Sequence, residues 1–279
     1  MTYCVGIEVN DGLVFAADTR TSGSFDDVRV HRKMHVFEFP GERVFVIMSA
    51  GNLATTQLTV SRLQRDLDDA RDKSLRTYTH LVDVAEYVGE TLVASQAKVA
   101  DGAQPSAVNL QATLILGGQI AGERPGLYLI YPVGNCIASS PETPYLQIGE
   151  SKYGKPILDR IVRPTTTMED AARCALVSLD STIRSNLSVG MPIDMTLVRA
   201  NELRITQQMR FENDTPLFAE IHDTWSRKLE AAVHGLPRFP WEPPRSIERS
   251  NPVEMPIPPL RIAPRPDAAE PQAQQQQQQ

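Results

Sequence analysis

Cysteine is scarce in this chain. There are three in 279 residues (Cys4, Cys136 and Cys174), an odd number, widely spaced and without a C-x-x-C pair, which excludes a disulfide framework. Long apolar runs are missing too: Val44-Phe45-Val46-Ile47-Met48 has the length of a strand, far short of the roughly 18–20 residues a membrane span needs. A basic excess is absent, since 28 Lys+Arg oppose 34 Asp+Glu for a net charge of -6. No global footprint for DNA or RNA follows from that balance. No Gly-rich loop joins a strand to a helix, because Gly117-Gly118 and the Gly149/Gly154 pair are too sparse, so a dinucleotide or P-loop fold is excluded. His31 and His35 stand across a loop-to-strand boundary with no clustered third ligand, and neither a metal nor an organic cofactor is expected. The opening Met1-Thr2-Tyr3-Cys4 lacks the basic and apolar regions of a signal peptide, which predicts a reduced, cytoplasmic protein.

Proline is plentiful but badly distributed. Eleven of the 21 prolines fall in residues 236–279, a stretch that ends in Gln274 to Gln279. Dense proline removes backbone donors and favours extended geometry, so this segment is expected to be a disordered tail rather than part of a packed core. Residues 1–235 remain as one domain.

Within that domain the strand and helix signals segregate. Tyr3 to Val9 alternates and meets Asn10-Asp11-Gly12 before Leu13 to Ala17 resumes, and Met34 to Phe39 and Arg43 to Met48 flank Pro40-Gly41; both patterns predict hairpins. Apolar residues then recur at helical spacing over Asn52 to Arg71 and His80 to Val99. Strands return at Asn109 to Leu116, Gly126 to Tyr131 and Pro144 to Ile148, followed by helices at Lys155 to Val162 and Met168 to Leu187. Thr167 is placed to cap the second of these, with Glu169 and Asp170 in its first turn. A hairpin, Asp194 to Arg199 and Glu202 to Met209, and a helix from Pro216 to His234 complete the set. Runs of strands followed by runs of helices predict an α+β fold, a four-layer αββα sandwich of two antiparallel sheets flanked by helices. The first helix is expected to expose Arg62, Arg65, Asp66, Asp68, Asp69 and Arg71 as a mixed-charge face for water and for neighbouring subunits.

Thr2 follows the initiator methionine, and removal of Met1 would leave its α-amine free. A threonine hydroxyl needs an adjacent base, and that amine, with a reference pKa of about 7.7–8.0, is both close and near neutrality. Three further positions give the pair a setting. Asp18 ends the second strand, Lys33 stands just before the third, and Ser49-Ala50-Gly51-Asn52 closes the fourth and opens a helix. A lysine beside Thr2 lowers the pKa of its amine and hydroxyl, Asp18 can hold that lysine charged, and the Gly51 N–H can face a developing oxyanion. Cys4 falls on the same side of the pleat as Thr2 and is expected to be a buried packing residue.

Six blocks carry a family resemblance. They are Met1-Thr2-Tyr3-Cys4-Val5-Gly6-Ile7, Gly12-Leu13-Val14-Phe15-Ala16-Ala17-Asp18-Thr19-Arg20-Thr21, Arg32-Lys33-Met34, Ser49-Ala50-Gly51-Asn52-Leu53, Ile148 to Lys155, and Ser185 to Gly190. In this order over residues 1–235 the chain resembles the β-subunits of the proteasome superfamily of N-terminal-nucleophile hydrolases, and within them the Anbu (ancestral β-subunit) branch. The resemblance implies the Ntn-hydrolase αββα fold and homo-oligomers, as rings or open spirals. It also implies a threonine peptidase acting on peptide or protein substrates, with Thr2, Asp18 and Lys33 in its site. Two positions depart from the pattern of active members. A serine usual after the glycine is here Glu150, and the loop that usually holds an aspartate and a serine reads Asn186-Leu187-Ser188. Glu150, Asn186 and Ser188 are therefore candidates to support the threonine amine. The alternatives are a non-catalytic assembly protein and an amidase for a small non-peptide amide; nothing in the residues names an ATP-driven partner.

Overall fold

The structure, a computed structural model, describes residues 2–24, 27–101 and 109–242. Strand β1 (Tyr3–Val9) sends Tyr3, Val5, Ile7 and Val9 to one face and Cys4 to the other, and β2 (Gly12–Asp18) divides Val14 and Ala16 from Leu13, Phe15 and Ala17 in the same way. Alternation with both faces apolar means a sheet covered on both sides. The connections β3 (Arg20–Ser24) and β4 (Asp27–Val30) form a separate two-stranded hairpin. Strands β5 (Met34–Phe39), β6 (Arg43–Gly51), β7 (Ala112–Ile120), β8 (Gly126–Ile130) and β9 (Cys136–Ala138) pair antiparallel in that order as one sheet. Strand β10 (Tyr145–Gly149) pairs with β1, and β11 (Ile193–Arg199) with β12 (Gln207–Phe211) extends the other edge, giving β10-β1-β2-β11-β12.

Helices α1 (Leu53–Asp68) and α2 (Leu81–Asp101) cover the outer face of the β5–β9 sheet, burying Leu63, Val84, Val88 and Leu92 against Phe45, Ile47, Leu114 and Leu116. Helices α3 (Lys155–Ile161) and α4 (Met168–Ser185) cover the other sheet through Leu158, Met168, Ala171, Ala175 and Leu179. Helix α5 (Pro216–His234) adds Phe218 and Ile221 to that layer. Between the sheets lie Cys4, Leu13, Phe15, Val44, Val46, Met48, Ile115 and Leu127. The result is the αββα sandwich, built from the period-2 patterns of the strands and the 3.6-residue patterns of the helices. Helix starts follow side-chain chemistry: Asn52 Oδ1 accepts the Thr55 N–H at 3.1 Å and Thr167 Oγ1 accepts the Asp170 N–H at 3.2 Å.

Several elements differ from the sequence expectation. The polar run Thr21-Ser22-Gly23-Ser24 has no apolar alternation, yet it pairs as β3. β9 is three residues long, β7 ends four residues later than expected, at Ile120, and β12 begins at Gln207 instead of Glu202. Asn201 and Leu203 take φ of 68° and 50°, so the β11–β12 connection is a broad loop where a tight turn at Ala200-Asn201 was expected. On α1, Arg62 and Asp66 are not surface charges. Arg62 donates to Ser95 Oγ at 3.3 Å and Asp66 accepts from Tyr87 Oη at 2.8 Å, both on α2.

The chain divides into two units, Met1–His234 and Gly235–Gln279. In the second, Phe239 and Trp241 stack with centroids 4.5 Å apart, while the expected tail beyond residue 242 lies outside the described residues. No helix among the described residues is long and apolar enough to cross a membrane.

Candidate active site

Asp18 is the last residue of β2 and is fully buried. A buried carboxylate must be hydrogen-bonded and charge-compensated, and here both oxygens are. Oδ1 accepts from Lys33 Nζ at 2.7 Å and from the Tyr3 N–H at 2.9 Å, and Oδ2 accepts from the Gly190 N–H at 3.2 Å. Lys33 also donates to the Arg20 carbonyl at 2.6 Å, while its own carbonyl accepts the Ser49 N–H at 2.9 Å. One ion pair thus ties the start of β1, the ends of β2 and β6, and the segment entering β5. Burial pushes the Asp18 carboxyl above its ordinary range, and the Lys33 charge, its hydrogen bond and the two backbone N–H groups pull the other way.

Thr2 precedes β1 by one residue, and its carbonyl accepts the Glu150 N–H at 2.7 Å. Gly149, opposite Tyr3 in the ladder, has φ of +83°, and a Cβ there would lie 1.9 Å from the Thr2 carbonyl oxygen. Only glycine permits this approach. Gly51, with φ of +115°, ends β6 ahead of the Asn52 cap. Its N–H therefore belongs to the strand, and not to the helix N-terminus that the sequence suggested. Thr2, Thr21, Lys33, Ser49, Gly51 and Gly149 line a cleft of about 310 Å³. Thr2, Lys33 and Gly51 thus share one cavity, with Asp18 bonded to Lys33 behind it.

The candidate supporting residues gather beside the same strand end. Asn186 Nδ2 donates to Glu150 Oε2 at 3.1 Å, and Asn186 Oδ1 accepts from the Ser188 N–H at 3.0 Å and from Ser188 Oγ at 2.5 Å. They form a chain in which Asn186 is the link. Arg20 anchors this loop by donating to the Leu187 carbonyl at 2.9 Å. Sequence reasoning missed Arg20, Gly190 and the Tyr3 amide as partners, since two act through backbone groups and Arg20 acts partly so. Cys4 is buried between the sheets, and desolvation raises its thiol well above the usual value, as suits a packing residue. A larger cavity of about 770 Å³ lies among α3, α4 and α5, lined by residues such as Ile157, Val177, Ile221 and Trp225. It contains no buried ion pair or hydroxyl nucleophile set beside one, so the smaller cleft is the candidate site.

Comparison with known proteins bears on the family and the fold. A sequence model of the family described as proteasome subunit matches residues 2–198. The chain is 27% identical over 212 residues to proteasome subunit beta 2 of Pyrobaculum aerophilum, spanning 72% of this chain and 90% of the relative. Among solved structures, Anbu (ancestral beta-subunit) from Yersinia bercovieri is 42% identical with a TM-score of 0.80, covering 85% of this chain and 99% of that one. The helical assembly of the Anbu complex from Pseudomonas aeruginosa is 44% identical, also at 0.80, covering 86% and 98%. The chain belongs to the proteasome subunit family, in the Anbu branch of its β-subunits.

Proposed function

We propose that this protein is an N-terminal threonine hydrolase that cleaves peptide bonds. The observation that carries this reading is the Asp18–Lys33 ion pair, bonded to the amide of Tyr3 immediately after Thr2, in a cleft that Thr2, Lys33 and Gly51 line together. Loss of Met1 frees the Thr2 α-amine. The amine takes the proton of Thr2 Oγ as Oγ attacks the scissile carbonyl, and the Gly51 N–H donates to the resulting oxyanion. The C–N bond then breaks, and the leaving amine carries away the proton held by the α-ammonium. Water, deprotonated by the same amine, attacks the acyl ester and returns the hydroxyl to Thr2. Lys33 acts electrostatically, lowering the pKa of the amine, and Asp18 holds Lys33 aimed. Glu150, Asn186 and Ser188 support the amine side of the cleft, and no cofactor takes part.

Two measurements test this together. Intact mass of protein from its native cells is expected to show loss of one methionine, and a threonine-directed epoxyketone or β-lactone probe is expected to leave its adduct on Thr2. A retained or acetylated Met1 throughout the population would end the catalytic reading. Activity is expected to rise with pH through the titration of the amine, with a midpoint below the reference value of about 7.7–8.0 because an ammonium neighbours it. A flat profile over that range would count against the amine as base.

The protein is further proposed to be cytoplasmic and to act as a homo-oligomer. The supporting observation is the 44% identity to a relative described as a helical assembly. Contacts that repeat head to tail close into a ring only when the rotation per subunit divides a full turn, and otherwise give an open spiral. Residues 1–235 are proposed as the assembling domain, which is expected to assemble without 236–279, the tail lying across a neighbour and tuning the number of subunits. Light scattering of the full chain at micromolar concentration is expected to give a mass well above a dimer. A strict monomer would overturn this.

A further inference from the structure

The residue after Thr2 has a side chain the catalytic reading leaves unused. Tyr3 is fully buried and points away from the cleft, into the layer between the β10-β1-β2 sheet and α4. A buried phenol in an apolar layer must find a partner, and this one has two. Its hydroxyl shares a hydrogen bond with Ser178 Oγ of α4 at 2.5 Å and accepts another from Gln147 Nε2 of β10. Gly154, the residue before α3, completes the enclosure: a Cβ there would stand 2.6 Å from the Tyr3 hydroxyl and 2.0 Å from Ser178 Oγ. Three elements thus converge on one oxygen. At the other end of the same residue the Tyr3 N–H is held by Asp18 Oδ1 at 2.9 Å.

We propose that Tyr3 is a positioning residue for the nucleophile, clamping the start of β1 between the Asp18–Lys33 pair and a hydroxyl socket formed by Ser178, Gln147 and Gly154. The inference rests on the reading of Thr2 as nucleophile. Thr2 hangs one peptide bond ahead of Tyr3, and among the described contacts its main chain has a single further tether, the Glu150 N–H on its carbonyl. The direction of the Thr2 amine and hydroxyl is therefore set by how firmly Tyr3 is fixed. Removing the phenolic oxygen leaves Ser178 and Gln147 without their buried partner and frees the ring to rock on its Cα, while Asp18 and Lys33 are untouched. Loss of an interaction in this socket is transmitted to Thr2 through the backbone, with no change in the groups lining the cleft. Small misplacements of a nucleophile are costly, because attack needs a narrow range of approach.

The test uses the full-length protein, its Tyr3→Phe and Ser178→Ala variants and the double variant. Hydrogen exchange of the amides of residues 3 and 150 reports the two tethers directly, without any need for activity. Each single variant is expected to speed exchange at both amides roughly tenfold, with β7 amides unchanged and the double variant no faster than the faster single. Unchanged protection at residues 3 and 150, or an equal loss at β7, overturns the proposal. In the second arm, the maximal rate of epoxyketone labelling at Thr2 is expected to fall roughly tenfold in Tyr3→Phe while the probe concentration giving half that rate is unchanged. A weaker half-saturation with an unchanged maximal rate overturns positioning in favour of probe binding. Failure of the unsubstituted protein to label at Thr2 would overturn the peptidase reading and leave the exchange arm to decide the role of Tyr3. If Tyr3→Phe does not fold, Ser178→Ala alone removes the same hydrogen bond and decides both arms.

Discussion

Thr2→Ala is expected to abolish covalent labelling and to lower peptide hydrolysis roughly 10⁴-fold or more, while the protein melts within a few degrees of the unsubstituted chain. The asymmetry follows from where Thr2 sits. It is half-buried ahead of β1, and its carbonyl is bonded to the Glu150 N–H, a bond alanine keeps. The cleft holds other hydroxyls, on Thr21, Ser49 and Thr56, but in the proposed mechanism only that of Thr2 has its own α-amine beside it as base, so none of them substitutes for it. A fluorogenic peptide assay and a calorimetric melt on the same preparations check both halves. Labelling that persists at another residue would sink the assignment of the nucleophile.

Lys33→Ala is expected to combine a severe loss of rate with a large loss of stability. It removes the only side-chain cation bonded to Asp18 among the described contacts and leaves a fully buried carboxylate without a counter-charge. Breaking such a pair costs about 3–5 kcal/mol. Asp18→Asn is expected to cost rate comparably. The double variant should lose far less than the product of the two single effects, because the pair works as one unit; multiplicative losses would refute that coupling. The pH dependence has a definite sign. Burial holds the folded-state Asp18 above the ordinary carboxylate range, so the folded form binds its proton more tightly than the unfolded one. Removing Lys33 moves it further in that direction. The stability deficit of Lys33→Ala should therefore shrink as pH falls through the folded-state value of Asp18 towards the unfolded reference of about 3.9, and grow as pH rises. Urea titrations at several pH values read this out.

Much of the framework was legible because apolar periodicity is a statement about burial. Val5, Ile7 and Val9 alternate, Val84, Val88 and Leu92 step by four, and the helix predicted from Pro216 to His234 occurs with those bounds. Where burial is not the organising term, the pattern falls silent. Thr21 to Ser24 pairs as a strand with no apolar residue to mark it, and Cys136–Ala138 is too short for any period to register. The site divides along the same line. Thr2, Lys33 and Gly51 meet in one cleft with Asp18 behind, and side-chain chemistry together with a family resemblance pointed to each of them. The Tyr3 and Gly190 N–H groups and the Arg20 carbonyl complete that arrangement, yet every residue offers such groups and none is marked by its type. Glu150 and Asn186 were legible as unusual residues, but their bond to each other joins positions 36 apart and exists only in the folded chain.

The short distance between Thr2 and the first strand bears on how the protein is prepared. Tyr3 already pairs with Gly149, and Glu150 holds the carbonyl of Thr2, so the main chain is already fixed on the carboxyl side of Thr2. An amino-terminal affinity tag would turn the α-amine into an amide, which has lost the basicity needed to take a proton from the hydroxyl. Under the proposed mechanism, recombinant material carrying such a tag is expected to be inert even if the native protein is active. A carboxyl-terminal tag, or a fusion cut by a protease that leaves threonine as the first residue, keeps the question open to measurement.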